Sequence, residues 1–261
     1  MKAKKTASHI SDPASYRERT YRRLEGTAGL LSFTVQVRET DLQIQAPILL
    51  PAEATTLVLQ YRAQLEGYIR RTPGFLRSLV PLPLDPLAPL VVKKMLAAGM
   101  VAGVGPMAAV AGAMAEVVGR RLLAEHRIEE VVVENGGDIF LHLREDCLVG
   151  IFAGQSALSQ RVAIKIKAGQ MPLGICTSSA TVGPSLSLGQ ADAVTVLAPD
   201  AALADAAATC LGNATKSGRD LQRVLELAKT IPGLLGVVVI IDHRLGAWGE
   251  VELTPLAPGN L

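Results

Sequence analysis

An α+β fold, with mostly antiparallel sheets and packed helix pairs, is predicted by three features of this 261-residue sequence. Residues 32–46 alternate apolar and polar side chains on both sides of Glu39-Thr40-Asp41, the mark of an antiparallel hairpin. Residues 129–143, "EEVVVENGGDIFLHL", hold two β-branched runs around Asn135-Gly136, the strongest short hairpin signal. Hairpins and helix pairs then follow one another without the strict strand–helix alternation that a doubly wound parallel sheet requires.

The remaining elements follow in order. Residues 53–71 have helical periodicity and end in Arg70-Arg71-Thr72-Pro73, where proline stops the helix. "PLPLDPLAPL", 81–90, is proline-punctuated, cannot be a helix interior, and is the one candidate internal boundary in a chain read as a single domain, 1–261. Residues 95–115 carry no charge over 21 positions, enough to imitate a membrane span. Four glycines, Pro106 and an alanine-heavy content favour instead a buried glycine loop leading into a helix from Pro106 to His126. Strands are predicted at 147–153, 161–167 and 193–198, helices at 201–211 and 217–229, and a last hairpin over 236–252 around Leu245-Gly246. No fixed-period repeat is present.

Composition narrows the function classes. With 49% apolar, 19% charged and only 3% aromatic residues, the core must be built from Ala, Val, Leu and Ile. The net charge of +2 argues neither for nor against a polyanionic partner, but Arg17, Arg19, Arg22 and Arg23 lack a second basic stripe, so nucleic acid is not expected. Cys147, Cys176 and Cys210 form no CxxC and read as reduced thiols. The N-terminus has no apolar signal-peptide core, so a cytoplasmic protein that does not engage a membrane is expected.

Four constellations could carry chemistry. In the alanine-rich "ALADAAATCLGN", Asp205 and Thr209 stand four residues apart and share a helix face, with Asp200 as N-cap and Gly212-Asn213 as the stop. A carboxylate and a hydroxyl on one face suit a hard cation such as Mg²⁺. The plainer alternative is a Thr209 hydroxyl bonded back to the Asp205 carbonyl, with Asp205 facing solvent. Gly103-x-Gly105 before a helix N-terminus could receive phosphate, although a third glycine at dinucleotide spacing is missing. Residues 175–196 crowd Thr177, Ser178, Ser179, Thr181, Ser185 and Ser187 into a glycine-interrupted loop that could line a polar ligand site. Lastly, "ENGGDIF" continues past its turn with Gly137 and Asp138, which turn chemistry does not require. No GxSxG or HExxH occurs, and Cys176 has no paired base visible in the sequence.

Taken in order, "VVVENGGDIF", "TSSATVG", "ADAVTVLA" and "ADAAAT" resemble the motifs of the ApbE-like superfamily, and most of all a small cytoplasmic branch of it. The resemblance covers residues 95–213 well and implies a T-fold-like architecture with two related sheets. It implies Mg²⁺ held by Asp205 and Thr209, with a backbone carbonyl near Gly112 or Ala113. It also implies a flavin or nucleotide ligand, FAD above all, against Gly103, Gly105, Gly136, Gly137, Asp138, Thr177, Ser178, Ser179 and Thr181. Characterised members transfer FMN from FAD to a protein hydroxyl, which would add an acceptor protein as partner. Two alternatives remain open: a flavin or nucleotide binder without transfer, and a protein of sulfur assimilation toward homocysteine in anaerobes, where Cys176 would matter. The chain departs from the pattern at Ala180 and Pro184 and lacks the family's N-terminal flavin segment.

Overall fold

The structure, a computed structural model, describes residues 24–25, 29–180 and 188–256. Arg17, Arg19, Arg22, Arg23, Thr181, Pro184, Ser185 and Ser187 lie outside the described residues.

Among the described residues, twelve strands and six α-helices make three layers. The strands are β1 (Leu24–Glu25), β2 (Leu31–Val37), β3 (Thr40–Ala46), β4 (Val131–Asn135), β5 (Asp138–His142), β6 (Cys147–Gly150), β7 (Val162–Ile166), β8 (Leu173–Ser178), β9 (Ala193–Ala198), β10 (Gly236–Ile241), β11 (Arg244–Gly249) and β12 (Glu252–Pro255). An eight-stranded sheet runs β11-β10-β9-β8-β5-β4-β3-β2, and a four-stranded sheet runs β1-β6-β7-β12. Every neighbouring pair is antiparallel. The helices are α1 (Pro51–Arg71), α2 (Gly74–Arg77), α3 (Leu90–Ala102), α4 (Val110–His126), α5 (Ala201–Ala214) and α6 (Leu221–Thr230).

The large sheet is covered on both faces, so its central strands read as unbroken apolar runs rather than alternating ones. All six residues of β9 and of β10 are buried. On one face, Val133, Phe140, Cys176, Val196 and Val237 pack under the helices. On the other, Val132, Leu141, Ile175, Leu197 and Val238 meet Val149, Ile164 and Ile166 of the small sheet. Period-two alternation of side chains along each strand explains both lists.

Helix α5 lies at the centre of the helical layer, and that position accounts for its composition. It contacts α3, α4, β8 and β9. A β-carbon on Gly112 of α4 would come 2.2 Å from the Ala201 carbonyl oxygen, and one on Gly174 of β8 would come 2.3 Å from the Ala201 Cα. Only residues near alanine in size leave room for backbones this close. A buried ionic network fixes the same three helices. Glu116 of α4, fully buried, accepts from Lys94 Nζ (3.0 Å), Arg120 Nε (2.6 Å) and the Ala201 backbone N–H (2.9 Å). Lys94 of α3 also reaches Asp200 at 2.6 Å.

Several boundaries differ from the sequence expectation. The glycine loop predicted from Met95 is helical as far as Ala102, and Gly103, at φ +73°, is its left-handed C-cap. The 129–143 hairpin turns on Gly136-Gly137 (φ +71° and +105°), with Asn135 already paired to Asp138. The last hairpin turns at Asp242-His243, with Asp242 at φ +54°, not at Leu245-Gly246. Gly246 lies inside β11 because Leu221 and Leu225 press against it, at 2.9 and 3.0 Å from any β-carbon there. Helix α5 continues to Ala214, since Thr215 caps it and the Asn213 side chain instead accepts from the Leu188 N–H. Residues 175–178, predicted as the start of the 175–196 loop, belong to the central strand β8. Among the described residues no single helix is long and apolar enough to cross a membrane; α3 and 106–126 would do so only as a pair bent by 108°.

Candidate functional site

The site forms where the β4–β5 turn, the first turn of α4 and the middle of α5 meet. Asp200 caps α5 by accepting from the Leu203 N–H at 3.1 Å, which sets the helix phase and turns Asp205 toward α4. The Asp205 carboxylate accepts from the Gly112 N–H at 2.9 Å and is also bonded by the Ala111 N–H. These first-turn amides of α4 are therefore held by the protein's own carboxylate.

Asp138 supplies the second acid. Its register partner on β8 is Cys176, so both side chains project to the helix-covered face, where Asp205 stands. Burial, then the Asp205 charge, push the Asp138 carboxyl well above the usual carboxylate range. Burial likewise raises Asp205, to about 7, against the lowering effect of the Gly112 and Ala111 amides. Together the pair retains a proton near neutrality that two separate carboxylates would have lost.

The turn is braced around this pair. Asn135 Nδ2 donates to the Ala111 carbonyl at 3.1 Å, the Gly137 N–H donates to Glu134 Oε1 at 2.8 Å, and the Thr177 N–H donates to the Gly137 carbonyl at 3.3 Å. In front of it opens a cleft of about 440 Å³, within the range of small-molecule sites. Asp138, Gly136, Asn135 and Ala111 form its polar end, and Leu65, Ile69 and Met107 are among its apolar walls. At the mouth, Arg62 bonds Thr40 (2.8 Å), Glu39 (2.7 Å) and Glu66 (3.0 Å).

The sequence-predicted residues divide clearly. Gly136, Gly137, Asp138 and Asp205 converge, and Thr209 lies one turn beyond Asp205 on α5. No bond from the Thr209 hydroxyl to the Asp205 carbonyl occurs among the described residues, and Asp205 does not face open solvent, so the plainer alternative describes neither side chain. Ser178 points toward α5, its Oγ 3.3 Å from where a Gly212 β-carbon would sit. Ser179 directly follows β8 and is half-buried. Thr177 faces the other way: its hydroxyl bonds Thr195 at 2.9 Å on the small-sheet side, and only its backbone reaches the turn. The glycines of the 103–105 loop are explained by chain geometry. Gly103 caps α3, and a β-carbon on Gly105 would lie 1.8 Å from the Ser78 carbonyl oxygen. Gly112 is seen as an N–H donor to Asp205. Cys176 is fully buried, donates to the Ala201 carbonyl at 3.3 Å, and has its thiol raised by burial and by Asp138. A nucleophilic or sulfur-transfer role has no support there. Sequence reasoning missed the Asp138–Asp205 pairing and the α4 amides, which become visible only once β5, α4 and α5 are placed.

An α+β protein of this arrangement belongs to the ApbE-like class. The structure matches the apo flavinyl transferase ApbE of Pseudomonas stutzeri with a TM-score of 0.55 at 13% identity, covering 84% of this chain and 94% of that one. It matches the ApbE protein of Thermotoga maritima with a TM-score of 0.53 at 12% identity, over 85% and 97%. The family model described as AbpE bacteria matches residues 22–249, and the chain belongs to that family. Among its relatives are the UPF0280 protein of Methanocaldococcus jannaschii, 42% identical over 76% of this chain and 82% of the relative, and that of Methanocella arvoryzae, 39% identical over 83% and 87%.

The raised carboxyls define a pH dependence. A carboxyl with a folded-state pKa above its unfolded value keeps its proton in the fold after the unfolded chain has lost it, so stability falls as pH rises through that interval. For Asp205 the interval runs from the usual 3.8 to about 7. With chelator present, the melting temperature is expected to be higher at pH 5 than at pH 8. Added Mg²⁺ should restore stability at pH 8 and have little effect at pH 5. Flat melting curves across this range would remove the shared-proton description of the pair.

Proposed function

We propose that the chain binds a flavin dinucleotide through a divalent cation and transfers its FMN half to a protein hydroxyl. The observation that carries this reading is the Asp138–Asp205 carboxyl pair, of which Asp138 lines the polar end of a cleft with apolar walls. Two half-buried carboxyls beside each other call for a cation, so the donor set fits one. Asp205, Asp138 and the Thr209 hydroxyl would hold it. Among the described residues no group of three or more His, Cys, Asp or Glu side chains surrounds such a site. That sparse set suits Mg²⁺, which keeps positions for water and ligand phosphate. When bound, the cation would neutralise diphosphate charge as the acceptor oxygen bonds the FMN phosphorus and AMP departs. The chain's own part is to hold that diphosphate against Asp138 and to seat an apolar ring between Leu65, Ile69 and Met107.

The likeness to flavin transferases supports the reading at the level of fold. The test is titration with FAD, with and without Mg²⁺, followed by assay for released AMP and for covalent flavin by mass. Mg²⁺-dependent FAD binding is expected. Its absence at millimolar FAD would sink the proposal, and binding without AMP release or covalent flavin, with acceptor proteins supplied, would leave a flavin carrier instead.

A further inference from the structure

Between Leu79 and Val101 the protein presents an apolar face with nothing described over it. Leu79, Val80, Leu84 and Leu87 on the α2–α3 connection, with Leu90, Met100 and Val101 on α3, are 40–94% exposed. The backbone that carries them is held in place. Asp85 accepts from the Tyr68 hydroxyl at 3.0 Å and from the Leu87 N–H at 2.9 Å, and Ser78 Oγ donates to the Val80 carbonyl at 2.7 Å. Pro81, Pro83, Pro86 and Pro89 restrict the backbone between them. The connection begins where Ser78 abuts Gly105, just past the end of α3, and returns to the first residue of α3. It therefore runs the length of that helix, beside the exposed positions Leu90, Ala97, Met100 and Val101.

From 79 to 92 the only ionisable residue is Asp85, and both its oxygens are engaged. The seven large side chains expose on the order of 700 Å², close to the roughly 800 Å² per partner of a standard interface. Monomers seldom expose contiguous apolar patches this large. An uncharged apolar face is complementary to itself, which is what a two-fold contact between identical chains requires. A lipid surface is less well served. The patch has no aromatic residue, and Lys94 is paired inward with Glu116 and Asp200. The exposed Arg77 and Lys93 at its borders are fewer than the basic cluster that a lipid-binding surface carries.

We infer that this face binds a second copy of the chain, making a two-fold homodimer. Leu76, half exposed at the edge of the face, also lines the cleft, so the partner would flank the cleft's entrance. The test is sedimentation or light scattering of the full chain from about 1 to 100 µM, on wild type and on Leu87→Glu. Leu87 is 94% exposed, so its substitution removes no packing within the chain and an unchanged melting profile is the folding control. Wild type is expected near twice 27.5 kDa, and Leu87→Glu is expected to weaken association at least about 30-fold, as hot-spot substitutions do. Leu84→Glu should behave alike. A wild type monomeric throughout would overturn the inference, and if it also sedimented with phosphatidylglycerol vesicles, the occupant would be a lipid surface instead. Dimers indifferent to both substitutions would place the contact on another face.

Discussion

Asparagine at position 205 is expected to lower the affinity for FAD in the presence of Mg²⁺ by at least about 100-fold, the scale of removing one charged contact to a desolvated cation. The substitution keeps the shape of the side chain and removes its charge, which separates the electrostatic role from packing. From the sequence alone, the change should leave the melting temperature untouched, because Asp205 could be a solvated carboxylate. Its position against Asp138 and the α4 amides alters that expectation. Without cation at pH 8, removal of one of two neighbouring charges should raise the melting temperature by several degrees, and Mg²⁺ should no longer add to it. Titration of both proteins with FAD, with and without Mg²⁺, checks the first part, and melting in chelator checks the second. Equal affinities under all conditions would leave Asp205 with a structural role only.

The second large effect is one of space. In Gly112→Ala the new β-carbon would lie 2.2 Å from the Ala201 carbonyl oxygen and 2.9 Å from the Asp205 Cβ. Neither is the end of a flexible side chain, so α4 and α5 must separate. A destabilisation of about 3 kcal/mol is expected, at the upper end for overpacking and equivalent to roughly 10 °C in a chain of this length. The same shift should loosen the Gly112–Asp205 bond and weaken cation binding. Gly169→Ala, with nothing within 4 Å of its β-carbon, is the matched control and should melt with the wild type. A Gly112→Ala protein as stable as that control would mean that the helices separate at little cost.

What could be read from the sequence follows from how local the determining interactions are. The 32–46 and 129–143 hairpins and α1 were legible because alternation, turn glycines and a stop proline act within a few residues. Strand β8 was not. Its Gly174 and Cys176 are small because α5 lies against them, and in isolation "GICTSS" looks like a loop. The same limit applies to the site. The "GGD" and "ADAAAT" motifs single out Asp138 and Asp205 separately, but their contact depends on the β5–β8 register and on the phase of α5. The face that the Thr177 side chain takes could not be read for want of that register, since a strand's alternation is set only by what it pairs with. Gly103 and Gly105 matched a phosphate-loop pattern for reasons of helix termination and close packing.

The placement of α5 has a consequence for motion. It is packed against α3, α4, β8 and β9, with Ala201 closed in by two glycines and the Glu116 network tying down its first turn. Such an element has no local opening available to it short of wide disruption of the core. Asp205 is thus mounted on a stiff support, while Asp138 opens a strand that starts from two successive left-handed glycines. The two halves of the site are held by different means, Asp205 by the packing of its helix and Asp138 by the hydrogen bonds that brace the turn before it.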